Sequence, residues 1–351
     1  MLPEPQSLLE HFFLFGAVPP YAEKGYYIPY LVLLSYVIAS LGSFTGVRLA
    51  TNIHAATSKK LRETLHLGGA LAFGAGIWSM HFIGMLAYKM DMALSYDAFL
   101  TFLSMVIAVA VAYGVLLILR SQKLNFIWLA AGAVLLGTAI CAMHYTGMAA
   151  MQMDGDLRYI PSLFFLSFVI AVTASAAALW IIFKIARHTG RWKLPLQIVA
   201  ALIMGAGICG MHYTGIEASV FIPWADCRYD PNQRFDTLAL FVAIVSSLVF
   251  ALALVLSFDR SETANREEGV YTGNAAFLHL SGLLGIFLVL MVGSYIFLSN
   301  SIQREENGHH LLTATSTQQT LTVQYVVRTS IILSSQAVGN WNEVIEHNKG
   351  F

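Results

Sequence analysis

The chain has 351 residues, of which 57% are hydrophobic and only 11% are charged, whereas about 25% of the residues of an ordinary soluble protein are charged. So little charge cannot cover so much apolar surface in water, and the composition therefore predicts an integral membrane protein that contacts the lipid bilayer. The formal net charge is zero, which argues against a nucleic-acid partner. The sequence contains no Walker loop and no catalytic Ser/His/Asp signature, so we expect no enzymatic activity and no catalytic residues.

A transmembrane helix needs about 20 predominantly apolar residues, and eight stretches meet this condition. The predicted fold class is therefore all-α, a polytopic membrane helix bundle with a seven-span core and an eighth transmembrane helix. The spans cover residues 28–51, 66–88, 97–119, 126–151, 161–183, 195–222, 237–257 and 277–298.

Loop charge predicts the orientation of these spans. Lys and Arg are concentrated after the first, third, fifth and seventh spans, whereas the alternate loops are acidic. Basic loops face the cytoplasm, so the N-terminus is predicted outside. The expected organisation is an extracytoplasmic segment (1–27), a seven-helix domain (28–257), a cytoplasmic linker (258–276), the eighth helix (277–298) and an extracytoplasmic helical tail (299–351).

Three segments of the chain repeat one another without gaps. Each contains a Met-His pair, with a glycine three residues after the histidine and another seven residues before it. The repeats fall in the second, fourth and sixth spans, which all run from the cytoplasm outward, so the three pairs are predicted at one depth in the outer third of the bundle. The glycines should let neighbouring helices approach closely. The pairs are Met80–His81, Met143–His144 and Met211–His212.

Imidazole and thioether side chains together favour a metal site, because thioethers are soft ligands that select copper. The residue four after each histidine shares its helix face; it is methionine in two repeats and Ile216 in the third. We predict copper as the metal and no other cofactor site. The candidate ligands are Met80, His81, Met85, Met143, His144, Met148, Met211 and His212.

Alternative interpretations of these residues stay open. The histidines could be hydrogen-bonded packing residues, and methionine fills irregular gaps in any core. Cys141 and Cys209 are interpreted as small buried hydrophobic residues rather than ligands. Tyr145 and Tyr213 could orient the imidazoles or simply lie at the membrane interface. His54, His66 and His188 lie in or near cytoplasmic loops and are expected to be solvated, while Met90, Met92, Met151 and Met153 extend the methionine-rich zone towards the outer surface.

The Met-His-Tyr-Thr sequences that begin at Met143 and Met211, with a degenerate Met-His-Phe-Ile copy at Met80, resemble the motif of the MHYT family of bacterial integral membrane sensors. The resemblance covers residues 28–257. It implies a seven-helix sensory module in the bacterial cytoplasmic (inner) membrane that binds copper through the motif's Met and His residues and detects O2, CO or NO. Family members are usually fused to an output domain, often a diguanylate cyclase, a phosphodiesterase or a histidine kinase.

We therefore predict a membrane sensor that binds a metal near its outer face and detects a diatomic gas or the redox state. It would signal to an output module absent from this chain, of cyclase, phosphodiesterase, kinase or chemoreceptor type. The tail from 299 onward resembles the first helix of an extracytoplasmic receptor domain, and we expect it to be the start of a truncated one. The alternatives are a copper-handling or periplasmic copper-sensing membrane protein and a haem-binding membrane protein; a homodimer is compatible with each.

Overall fold

The computed structural model describes residues 8–53, 58–90, 92, 94–119, 126–186, 192–227, 238 and 241–247. All of them belong to one compact unit, Met1–Met291. The predicted cytoplasmic linker, eighth helix and extracytoplasmic tail lie outside the described residues, as does most of the seventh span.

Six long helices dominate the described part of the chain, and each is long and apolar enough to cross a membrane. This confirms the predicted membrane helix bundle. The sixth predicted span extended to residue 222, but its helix ends at Glu217 because the chain then enters a strand. A short helix α1 (Leu8–Phe12) precedes α2 (Pro29–Ile53), α3 (Lys59–Ala87), α4 (Ala98–Leu119), α5 (Phe126–Ala149), α6 (Pro161–Ala186) and α7 (Lys193–Glu217).

The six long helices repeat one arrangement three times. The histidine-bearing helices α3, α5 and α7 contact one another, and α2, α4 and α6 each pack against two of them. The span in α3 is the most enclosed of the six, with 94% of its most apolar window buried. Part of this burial comes from the seventh predicted span, where residues 241–247 are helical and Phe241 packs edge-on against Trp78 at 5.9 Å.

The glycines seven residues before each histidine lie at close contacts between helices. Gly74 lies against the backbone of Val109 in α4, and Gly137 lies against the backbone of Val172 in α6. Gly205 lies against Ser40 in α2, which completes the ring of helices. A side chain at any of the three would overlap its neighbour, so the glycines allow the close approach that the sequence predicted.

Two small antiparallel sheets, which the sequence analysis did not predict, lie at the C-terminal ends of α3, α5 and α7. We call this the sheet end of the bundle. Strands β1 and β2 pair through Tyr27 and Tyr88, and the order of the second sheet is β3-β4-β5. Single bridges join the N-terminal segment to this sheet at Tyr159 and Phe221. The strands are β1 (Tyr26–Tyr27), β2 (Tyr88–Lys89), β3 (Leu94–Tyr96), β4 (Met151–Tyr159) and β5 (Ser219–Cys227).

Candidate metal centre

The three repeat histidines meet at the centre of the bundle. Their Nδ1 atoms form a nearly equilateral triangle, with His81 3.1 Å from His144 and from His212, and 3.2 Å between His144 and His212. The rings are almost perpendicular to one another, and all three side chains are fully buried. This confirms that the three pairs converge at one depth. We call these residues the histidine triad.

The other nitrogen of each imidazole, Nε2, faces a glycine of another repeat. His81 lies against Gly147, His144 against Gly215 and His212 against Gly84, so the contacts form a closed cycle. These are the glycines three residues after each histidine. None of the Nε2 atoms has a hydrogen-bond partner among the described residues. Ligating histidines usually donate this N–H to an orienting acceptor, whereas here the ring orientation is set by steric contact with a glycine.

The triangle of Nδ1 atoms fits a metal ion. Its centre lies about 1.8 Å from each nitrogen, which is close to the usual metal–nitrogen bond length of about 2.0–2.1 Å, so all three imidazoles could hold one ion. Each neutral imidazole presents either a proton or a lone pair at Nδ1, so at least two of the three nitrogens present the same one and cannot hydrogen-bond to each other. The described residues contain no carboxylate or thiolate in the same group of ligand atoms, so a cation is the simplest partner for all three.

The residues one helical turn before and one turn after each histidine differ in character. Met85 and Met148, one turn towards the sheet end, expose 3% or less of their surface, and Met80, Met143 and Met211 are equally buried. That any of them ligates a metal stays a prediction. One turn the other way, all three repeats have isoleucine, and the next turn places Phe73, Leu136 and Met204 on the same face. The isoleucines are Ile77, Ile140 and Ile208.

Two small cavities lie in this isoleucine half of the bundle. One of about 10 Å3 is lined by Ile140, Ile208 and Met211, the residue next to His212. The other, of about 20 Å3, lies closer to the opposite end, and both cavities touch Phe73, Leu136 and Met204. Ser175 is the only polar side chain among the lining residues. Water needs two to four polar partners, so the walls favour a small apolar occupant.

A ring of three serines supports the residues around the triad, and the sequence analysis missed it. Each serine hydroxyl donates to the carbonyl three residues earlier, at 2.7 Å. The hydroxyls of Tyr145 and Tyr213 lie 2.8 Å from two of these serines, while in the first repeat the indole N–H of Trp78 donates to the third at 3.0 Å. The serines are Ser35, Ser104 and Ser167, one on each of α2, α4 and α6.

The aromatic residue after each histidine packs edge-on against that imidazole, with ring centroids 4.7 to 4.9 Å apart. The tyrosine hydroxyls therefore point to the serines, and only the rings of Tyr145 and Tyr213 touch the imidazoles. This explains how Phe82 can replace tyrosine in the first repeat. There Trp78 packs on Phe82 and supplies the hydrogen bond to the serine instead.

Replacing Ser167 with alanine is expected to lower the free energy of unfolding by about 1–3 kcal/mol, because the Tyr145 hydroxyl would lose its partner in a partly buried site. Tyr145→Phe should cost less, about 0.5–1.5 kcal/mol, since Ser167 keeps its bond to the Phe164 carbonyl. Thermal unfolding in detergent measures both effects. Loss of bound metal in Tyr145→Phe would contradict this purely supporting role.

The expectation that His66 is solvated is wrong. The sequence analysis expected it to be solvated, but its side chain is fully buried and its Nε2 lies 2.9 Å from the backbone carbonyl of Tyr113. The reason is that α3 begins at Lys59, well before the predicted start of the span at 66, so His66 lies inside the helix, with its ring against that of Tyr113. His54 and His188 lie outside the described residues. Cys141 and Cys209 are buried free thiols outside the group of candidate ligand atoms.

The fold and its centre define a multi-pass membrane protein built from a threefold repeat, with one buried histidine in each copy. Residues 74–132, 137–194 and 205–266 match the family MHYT, described as a bacterial signalling protein N-terminal repeat. The chain belongs to this family. Each match begins at the glycine seven residues before the histidine, so every matched unit contributes one imidazole to the triad.

Three relatives place the chain among signalling proteins. It is 43% identical over 231 residues to the bifunctional diguanylate cyclase/cyclic di-GMP phosphodiesterase MucR of Pseudomonas aeruginosa, covering 65% of this chain and 33% of the relative. It is 31% identical over 244 residues to the cyclic di-GMP phosphodiesterase NbdA of the same organism, covering 68% and 31%. The signaling protein YkoW of Bacillus subtilis is 35% identical over 192 residues, covering 54% and 24%.

The chain thus spans a third or less of the length of these relatives. No solved structure matches the chain.

Proposed function

We propose that this chain is the sensory module of a bacterial membrane signalling protein and that the histidine triad binds one copper ion. The observation that carries the proposal is the triangle of Nδ1 atoms, 3.1 to 3.2 Å on a side, at the buried centre of the repeat. Imidazole suits copper, zinc and iron alike, and the buried thioethers of Met85 and Met148 beside the triad favour copper. The proposed ligand set is completed by Met80, Met143 and Met211.

We further propose that the site detects a diatomic gas (O2, CO or NO) or the redox state. A bound copper ion would supply a redox-active centre. The apolar cavity beside Met211, on the isoleucine side of the triad, supports access by a small apolar molecule dissolved in the membrane.

The contacts of the triad suggest how a change at the site would spread. Each imidazole touches a glycine of another repeat, so a change in the triangle would alter the spacing of α3, α5 and α7 together. A ligand that favours one spacing would shift the population of the bundle towards it. The relatives' names support an output partner of cyclase or phosphodiesterase type; we propose that the chain itself is non-catalytic.

The location and assembly are also proposed. Loop charge supports the inner membrane with the N-terminus outside, and in that orientation the sheet end and the nearby triad would lie at the outer face. A homodimer is compatible with this arrangement.

The first alternative function, a copper-handling or copper-sensing protein, shares the metal site but not the response to gas. The second, haem binding, is disfavoured because nitrogens in hydrogen-bond contact leave no room for a porphyrin between them.

The deciding experiment is the metal content and optical spectrum of the detergent-purified chain beside the triple variant His81→Ala/His144→Ala/His212→Ala. We expect about one copper per chain in the wild type and none in the variant. Copper should raise the melting temperature of the wild type only, since a ligand at a hundred times its Kd stabilises by about 2.7 kcal/mol. Spectral changes on adding CO or NO would support gas sensing. Equal copper in both proteins would overturn the site, and a haem absorption band would favour the second alternative.

A further inference from the structure

The buried triad raises the question of how an ion reaches it from the sheet end. Strands β4 and β5 continue directly from α5 and α7, and β3 pairs with β4, so this sheet covers the ends of the helices that carry the imidazoles. The three histidines are fully buried beneath it. An ion that arrives from the sheet end must therefore pass through side chains of the sheet and of the last helical turns.

Methionines occupy this layer. Met148 lies one turn beyond His144, and Met151 and Met153 follow on β4, where they alternate with the less buried Gln152 and Asp154. Met85 occupies the same position as Met148 in the first repeat, and Met90 follows β2. All five belong to the continuous core cluster around the triad, and each exposes 7% of its surface or less.

Strand preference does not explain the choice of methionine here. The pairs Met151–Tyr96 and Met153–Leu94 set the register of β4 against β3, and β-branched or aromatic residues are the side chains that strands favour at such buried positions. Two consecutive buried positions of β4 instead carry thioethers. A leucine of similar volume would fill the same space, so the property that methionine adds is a soft, polarisable sulfur atom.

We propose that Met85, Met90, Met148, Met151 and Met153 form an access path for Cu(I) from the sheet end to the histidine triad. The proposal rests on the proposed copper site and adds the route and the oxidation state. Thioethers select Cu(I) over harder cations, and the burial of the five sulfur-bearing side chains excludes hydrated divalent ions. The path ends at Met85 and Met148, one turn from the imidazoles.

The test compares Cu(I) loading of the 351-residue chain with that of two isosteric variants. The path variant is Met90→Leu/Met151→Leu/Met153→Leu, and the matched control is Met105→Leu/Met204→Leu, which removes thioethers elsewhere in the bundle. Each detergent-purified protein receives Cu(I) from a coloured chelator without oxygen, and stopped-flow absorbance follows the transfer. We expect the path variant to load at least about tenfold more slowly, equivalent to a barrier raised by about 1.4 kcal/mol. The final copper content should not change.

Separate outcomes distinguish this path from the site it serves. Equal loading rates in the wild type and the path variant would overturn the path and leave the copper site standing. Equal slowing in the path and control variants would also overturn it, because the effect would then follow from lost methionines in general. A wild-type chain that takes up no copper would overturn both proposals. If the triple path variant fails to fold, the single Met153→Leu substitution carries the same comparison.

Discussion

Replacing His144 with alanine is expected to abolish tight copper binding, and His81→Ala and His212→Ala are expected to do so equally. The three Nδ1 atoms lie within 0.1 Å of a common spacing, so no one imidazole is peripheral to the site. Removing an outer partner of a metal ligand costs about 10–100-fold in affinity, and the loss of one of three central imidazoles should exceed that range. A competition titration against a chelator of known copper affinity measures the loss.

His66→Ala is the matched control for this prediction. His66 is also fully buried in α3 and also contacts an aromatic ring, but it lies about four helical turns from His81. Its substitution should lower stability by leaving the Tyr113 carbonyl without its partner, and copper affinity should stay within about twofold of the wild type. If one triad variant kept wild-type affinity while the others lost it, the ion would not be shared by all three imidazoles.

The convergence of the triad was predictable because it follows from topology. Three helices that run in the same direction and carry the same motif at the same position must place His81, His144 and His212 at one depth. Helix periodicity likewise predicted that Met85 and Met148 lie one helical turn after His81 and His144, on the same helix face. None of these inferences needs a side-chain conformation, which is why sequence alone was sufficient for them.

Features that depend on contacts between distant parts of the chain could be identified only in the structure. The serines of α2, α4 and α6 carry no sequence signal, because each lies in an ordinary apolar span and gains its role only from the tyrosine or tryptophan of a neighbouring helix. The sheets were missed because β4 begins two residues after α5 ends, with Met151 and Met153 continuing an apolar pattern. His66 was misplaced because polar residues at the start of α3 were interpreted as a loop.

The glycines three residues after each histidine were predicted to let neighbouring helices approach closely, but the structure assigns them a more specific role. Each of Gly84, Gly147 and Gly215 provides the space in which an imidazole of another repeat lies. A methyl group at Gly147 would overlap Nε2 of His81, whose Nδ1 is already in contact with His144 and His212. The His81 ring therefore lies between Gly147 on one side and His144 and His212 on the other, and a shift in either direction would disturb the triangle.

Gly147→Ala is accordingly expected to destabilise the protein by about 1–3 kcal/mol, the usual cost of overpacking a core, and to weaken copper binding at the same time. Alanine in place of glycine in a helix normally stabilises by about 0.5–1 kcal/mol, so the sign of the effect is itself diagnostic. Gly114→Ala in α4 is the matched control, because a methyl group there would meet open space. Thermal unfolding and copper titration of both variants provide the comparison.

A double-mutant cycle tests whether contact with the His81 imidazole causes the destabilisation expected for Gly147→Ala. If the methyl group at position 147 acts by displacing the His81 ring, Gly147→Ala should cost little in a protein that already carries His81→Ala. Residues in direct contact usually show interaction energies of about 0.5–3 kcal/mol in such cycles. Additive effects of the two substitutions would instead mean that Gly147 is required by the helix backbone alone. The cyclic contacts predict the same coupling for Gly215 with His144 and for Gly84 with His212, and for no other pairing of these glycines and histidines.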